Sequence, residues 1–355
     1  MINKNPLRAA ACALVLFSCG TPISAIARAP DAVVTAGDRG EAFNVLIRRL
    51  DHYVMADRKP VIVAELQEQR AALLAIEDPE AFRAAVNRVL LETSGDKHLQ
   101  VWLNRERGAD GEQPTFEQMT EVERRQGFGI DAIRRLHGNI GYLRLRGFSG
   151  HPGAGAAIDG AMSVLSGADA LILDLRRNGG GGEAALKRLM GHLAAAPVEL
   201  ESIEMRVCAP PPAEAPDACV QDGTRETQRR WADTVAAPTF ADRPIYVLTS
   251  TQTFSAAEAV AYGLQQAGRA VVVGEVTGGG ANISAAMDLN ARFLVIMPIG
   301  EARHPLSGTN WEGAGVQPDV TIPADQALTR AYGLALARSG GRAEDAARLL
   351  EEDGL

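Results

Sequence analysis

Between Ile140 and Val273 short apolar runs alternate with segments of helical period, and the joins between them are rich in glycine and small polar residues. Ile140-Gly141-Tyr142-Leu143-Arg144-Leu145 alternates as a strand does, 156–165 reads as a helix, and 168–175 reads as a buried strand. That strand runs into Asn178-Gly179-Gly180-Gly181-Gly182 and a helix from Glu183. After a proline-rich insertion the rhythm resumes, with a strand over 244–248, a helix over 255–266, a strand over 270–273 and further strands over 283–289 and 292–298. Strands separated by helices of about 10 to 15 residues predict an α/β core with helices covering the sheet.

The chain before this core has a different period. Phe43, Val45, Leu46 and Leu50, then 61–74, then Phe82, Val86, Val89 and Leu90 recur at helical spacing. This predicts three helices broken near Pro60 and Pro79, because the residue before a proline is pushed out of helical geometry. The expected layout is an N-terminal helical domain over 38–104, the α/β core over 115–335 and a helical tail over 336–355. Residues 1–27 read as an export signal: Lys4 and Arg8 precede a short apolar run, and Ala25-Ile26-Ala27 supplies a small-x-small cleavage pattern. Cleavage after Ala27 predicts a periplasmic or secreted protein. Cys19 offers the alternative of a lipid-anchored form, the only case in which membrane association is expected.

With Cys12 and Cys19 inside that leader, Cys208 and Cys219 remain, flanking the proline-rich loop. In an oxidising compartment a disulfide closing the loop is expected, and two cysteines are too few for a zinc site. A net charge of -8 leaves no basic footprint for nucleic acid.

Two turns carry the candidate chemistry. The first is Val247-Leu248-Thr249-Ser250-Thr251-Gln252-Thr253-Phe254-Ser255-Ala256-Ala257-Glu258, a strand, a polar turn and a helix opening on Ser255. A helix N-terminus presents unpaired N–H groups and partial positive charge, which favour an alkoxide or an oxyanion. Ser255-x-x-Glu258 is equally the pattern of a simple capping box. The second, 174–182, is a glycine turn in which backbone N–H groups can approach a ligand: an oxyanion, a phosphate, or nothing beyond a tight turn. It lacks the endings of known phosphate loops.

Five ordered segments resemble the tail-specific (C-terminal-processing) serine peptidases, in the branch of interphotoreceptor retinoid-binding protein and tricorn protease. They are 174–182, 249–258, 268–277, 310–320, and the pair 138–143 with Gly95-Asp96-Lys97-His98-Leu99. The resemblance implies a crotonase-like (Clp-protease-like) spiral core with an N-terminal helical cap, and hydrolysis of peptide bonds through Ser255. The roughly forty residues between His98 and Ile140 are too few for the PDZ domain that most relatives carry. In the Ser/Lys branch the lysine stands where this chain has Gly280, and no lysine follows Lys187. Arginine cannot replace it as a base.

The resemblance therefore implies a histidine base, His98, with His304 as runner-up, and Glu312 as the carboxylate orienting the imidazole. Lys97 replaces the serine that precedes this histidine in tricorn protease. Glu258 and Glu275 are read as capping and structural residues, and His52, His137, His151 and His192 as packing or surface residues. Oxyanion donors are expected from the N–H groups of Gly180 and Ala256. No cofactor or metal is implied, and the expected substrate is a protein or peptide. Two rival readings are a non-catalytic binder of apolar ligands on the same scaffold and an acyl-CoA enzyme; the second conflicts with export.

Overall fold

The computed structural model describes residues 33–104, 115–195, 197–209 and 219–355. The segment read as an export signal, with Cys12 and Cys19, lies outside the described residues.

The described residues open with four α-helices: α1 (Ala36–Arg49), α2 (Lys59–Glu68), α3 (Arg70–Leu74) and α4 (Pro79–Ser94). The two prolines act as starts. Pro60 falls in the first turn of α2 and Pro79 opens α4, where a missing N–H costs nothing. Asp78 caps α4 through Ala81 N–H at 2.7 Å, and Gly95 ends it in left-handed geometry at φ 71°. The single helix expected over 61–74 is divided at Gln69, whose ψ of 1° leaves the helical well.

Strand β1 (Gln100–Leu103) follows, then α5 (Phe116–Arg125), β2 (Ile130–Leu136), β3 (Ile140–Leu145), α6 (Ala154–Leu165), β4 (Ala170–Asp174) and α7 (Glu183–Leu193). The next pair, β5 (Glu199–Ala209) and β6 (Val220–Trp231), is an antiparallel hairpin that the sequence pattern left as an insertion. Its far end is closed by a Cys208–Cys219 disulfide, with Cα atoms 4.9 Å apart. The chain ends with β7 (Ile245–Thr249), α8 (Ala256–Gln266), β8 (Ala270–Gly274), β9 (Ile283–Asp288), β10 (Phe293–Arg303), β11 (Val320–Thr321), α9 (Ala324–Arg338) and α10 (Ala346–Glu352).

Two sheets result. One has the order β11-β8-β7-β4-β3-β2, parallel except where β2 meets β3. Helices α6, α7 and α8 cover one face through Ile158, Leu189, Val260 and Leu264, while α9 and α10 cover the other through Ala331, Tyr332 and Leu350. Both faces being buried explains why β4 and β7 are buried at every position and hydrophobic up to their last residues, Asp174 and Thr249. The segment read as a C-terminal tail is thus a covering layer of the sheet.

The second sheet is antiparallel, β1-β10-β5-β6 with β9 also on β10. β1 lies in the span read as the helical domain, yet it pairs with β10 of the α/β span, Gln100 opposite Ile296. The N-terminal helices share one core with that sheet: Phe43, Leu46, Phe82 and Leu90 pack with Phe293, Val295 and Met297. This union places the 95–99 turn against the α/β core.

Phe293 is fully buried and meets the Phe82 ring edge-on at 5.5 Å. Phe293→Ala is expected to remove about 3–5 kcal/mol of stability, measured as a shift of the urea unfolding midpoint. A loss below about 1 kcal/mol would show that this contact does not hold the two parts together.

Candidate active site

Ser255 occupies the N-cap of α8 with φ 55° and ψ −121°. A positive φ is strained for a residue with a side chain, and such strain persists only where the surroundings impose it. Here they do. Phe254 N–H donates to Asn178 O at 3.0 Å and Gly278 N–H to Thr253 O at 2.9 Å. From the helix side, Glu258 accepts from Ser255 N–H at 2.8 Å. The turn is clamped on three sides.

Gly180 faces this turn at φ 101°. A side chain there would begin 2.7 Å from Ser255 Cβ and 3.1 Å from Ala256 N, so only glycine lets the two turns meet. Ala256 N–H, at the first position of α8, lies outside the helical ladder and is a ready donor. Gly180 N–H, the other donor anticipated, is occupied within its own turn by Asn178 Oδ1 at 2.9 Å. Asn178 Nδ2 is buried and has no partner among the described residues.

The glutamate read as a cap does more than cap. Glu258 is fully buried and accepts from Thr277 Oγ1, from Gly279 N–H at 2.7 Å and from Gly280 N–H at 2.8 Å, besides Ser255. Burial raises its carboxyl above the usual range while these donors pull it back. The 277–282 turn so fixed is braced by Trp311 Nε1–H on Gly280 O at 2.8 Å and by Lys97 Nζ on Gly278 O. Its next two amides, Ala281 and Asn282, donate to Glu312 Oε2 at 2.6 and 3.0 Å.

At Gly280, the position of the lysine in the Ser/Lys branch, an added side chain would begin 2.7 Å from His98 Cε1 and on the Phe254 ring. The imidazole of His98 therefore takes up the space a side chain at 280 would need. Its ring centre lies 4.6 Å from that of Phe254, the neighbour of Ser255. His98 Nδ1 is buried without a partner among the described residues, so it is not bonded to Glu312. Burial pushes the imidazole down to about 4, against the opposing charge of Asp96. Glu312 moves the other way: burial, reinforced by the negative charge of Asp96, pushes it up to about 7.

The remaining histidines are elsewhere. His304 packs edge-on against Tyr262, seven residues along α8 and so about 10 Å from Ser255 along the axis. His137 pairs with Asp353 at 2.7 Å, His192 with Asp159 at 2.8 Å, and His151 with Thr120 at 2.9 Å. His52 Nδ1 lies 3.5 Å from Cys208 Sγ. These two atoms and Cys219 Sγ are close enough to share a metal, but the sulfurs are bonded to each other.

Sequence reasoning passed over Asp96 and Asn282. Asp96 is buried and accepts from His98 N–H at 2.8 Å, Tyr53 Oη at 3.3 Å and Asn282 Nδ2 at 3.0 Å. An aspartate two residues before a histidine is an Asx-turn signal, which gave a local hint.

Residues 139–322, more than half of the chain, match the family model described as peptidase family S41. The chain belongs to peptidase family S41. Among solved structures, a candidate peptidase from Parabacteroides merdae is 18% identical, with 84% of this chain and 97% of that one covered at a TM-score of 0.56. A lipoprotein from Streptococcus agalactiae is 15% identical, with 84% and 96% covered at 0.53. These two share the fold. A photosystem II D1 C-terminal processing protease is 26% identical over 52% of this S41 chain, with a TM-score of 0.40; this chain spans 43% of its length. The mixed α/β architecture is the one expected of the family.

Between pH 6.5 and 4 an unfolded His98 takes up a proton that the buried ring refuses, so folding stability contributed by this group is full above 6.5 and falls through that window. His98→Gln is expected to lose less stability than the wild type between pH 7 and pH 4.5, measured by urea midpoints. Equal losses would contradict the burial of a neutral ring.

Proposed function

We propose that this chain is an exported serine-type peptidase that cuts peptide bonds of exported proteins through an acyl-enzyme on Ser255. The observation that supports the reading is the seat of the His98 ring against Gly280 and against Phe254, the residue before the strained serine. Membership of the S41 family supports peptide hydrolysis as the reaction.

In this reading Ser255 Oγ attacks the substrate carbonyl and gives its proton to His98. The imidazolium returns that proton to the leaving amine, and water, activated by the same ring, releases the acyl group. Glu312 stabilises the imidazolium. Hydrogen bonds between these three groups form as substrate closes the site, since catalytic bonds commonly tighten in the Michaelis complex. Ala256 N–H is one oxyanion donor, and Gly180 N–H serves as the other once it exchanges its bond to Asn178 for the oxyanion.

A second reading has an observation behind it. Along α8 from Ala259 to Ala267 runs an apolar groove walled by Met190, Leu200, Trp231 and Leu306, which would suit a non-catalytic binder of apolar ligands. A fluorophosphonate probe separates the two. Peptidase action predicts labelling that disappears in Ser255→Ala, together with loss of cleavage of unfolded secreted proteins by mass spectrometry. Absence of labelling at every pH would favour binding.

The pH profile follows from the site. With His98 depressed to about 4, its neutral form is present throughout the neutral range, whereas Glu312 ionises only near about 7. If the ionised carboxylate is required, kcat/KM falls as pH drops below about 7, approaching tenfold per unit, and levels off above it. Glu312→Gln should remove that limb and lower the plateau on the order of 10²-fold or more. An acid limb left unchanged in the variant would reject the assignment.

A further inference from the structure

The imidazole of His98 lacks the usual orienting contact, because Nδ1 has no partner among the described residues. Something else must fix it. The ring rests on Phe254 at 4.6 Å, and the main chain from which it projects is held by one buried carboxylate, that of Asp96.

Asp96 joins three separate elements at that point. Its Oδ1 accepts from His98 N–H at 2.8 Å, closing a turn over Lys97. Its Oδ2 accepts from Tyr53 Oη, between α1 and α2, and from Asn282 Nδ2, at the entry to β9. Ser94 Oγ accepts from Asp96 N–H at 3.0 Å, so the aspartate is itself fixed to the end of α4. Tyr53 is fully buried, and burial beside a negative charge keeps its hydroxyl protonated, a permanent donor. Asn282 matters doubly: its N–H donates to Glu312 while its side chain donates to Asp96. One residue thus measures the spacing between the His98 turn and the carboxylate that is to serve it.

We propose that Asp96 is a positioning residue, which with Tyr53 and Asn282 forms a buried clamp that sets the His98 ring against Ser255 and in register with Glu312. This rests on the peptidase reading above. The clamp acts on the main chain and leaves both ring nitrogens available, one to receive the serine proton and one to face the orienting carboxylate. Its negative charge also acts on the site: it opposes the effect of burial on His98 and adds to that on Glu312. The other ionisable groups gathered here are Tyr53, Lys97 and Glu258; Asp96→Asn leaves all three in place, and Tyr53→Phe leaves Lys97 and Glu258.

The test uses the full mature protein and compares wild type, Asp96→Ala, Asp96→Asn and Tyr53→Phe. Active sites are counted with a fluorophosphonate, and kcat and KM per active site are followed on a peptide substrate from pH 4 to 9. Loss of positioning without loss of binding predicts that Asp96→Ala loses about 10²-fold in kcat per labelled site, with KM within about twofold. Asparagine keeps the acceptor for His98 N–H, and with the Asn282 amide turned over it keeps that bond too. Asp96→Asn should therefore retain kcat within about threefold, while its acid limb moves to lower pH because the charge acting on Glu312 is gone.

A merely structural Asp96 would instead reduce the number of labelled sites and the melting temperature while leaving rate per site and acid limb unchanged. That result overturns the clamp. If Asp96→Ala does not fold, the acid limb of Asp96→Asn and the kcat of Tyr53→Phe decide: wild-type values in both overturn it. Absence of labelling in the wild type would reject the peptidase reading and the clamp with it. Wild-type labelling with unaltered Asp96 variants would reject the clamp alone.

Discussion

The site is organised around a carboxylate that need not touch substrate. Glu258 is buried at the start of α8, where four donors meet it: Ser255 N–H, Thr277 Oγ1, Gly279 N–H and Gly280 N–H. A buried carboxylate is tolerable only when its lone pairs are satisfied, and here the satisfaction is shared between two loops. The residue that caps α8 therefore also fixes the turn after β8. Removing it would leave several buried amides without acceptors. Through the next two amides of the same turn, Glu258 also governs where Glu312 sits.

Strain at Ser255 makes sense in this setting. A φ of 55° lifts the serine out of ordinary strand-to-helix geometry, and the cost is offset by fastenings on each flank. Gly180 has no Cβ because Ser255 Cβ already stands where it would be. The two turns read from sequence as separate signals are thus halves of one arrangement, each requiring the other's shape. Ala256 N–H emerges at their junction, which is where negative charge would develop on a carbonyl attacked by Ser255.

How much of this was legible follows from how local each feature is. The β4 and β7 runs and the helix beginning at Ser255 were readable because burial on both faces and a helix start leave a pattern within a few residues. The Ser255 to Glu258 bond was readable for the same reason. The other three bonds of Glu258 reach 19 to 22 residues along the chain and leave no periodic trace. The partners of Asp96 lie 43 and 186 residues away, so only its turn over Lys97 was visible locally. The β5–β6 hairpin was missed because much of β6, from Thr224 to Arg229, is polar and solvent-facing, without the apolar alternation that marks a half-buried strand. The pairing of β1 with β10 joins elements almost 200 residues apart, and it made the helical span and the α/β span share a core.

That shared core bears on the choice of base. At position 280 the amide is committed to Glu258 and the space outside it is filled by Phe254 and His98, so a lysine could not be housed there without expelling both rings. In the proposed mechanism a base must then arrive from another element, and the 95–99 turn is brought to the site by α4 ahead of it and β1 behind it. Three anchors of that turn cross the junction: Lys97 on Gly278 O, Asp96 on Asn282, and β1 on β10. Ser255 and His98 thus belong to two layers that meet only when the N-terminal helices are docked. A chain whose α/β core had folded alone would hold the strained serine, the glycine turn and Glu312, and still lack His98, the base of the proposed mechanism.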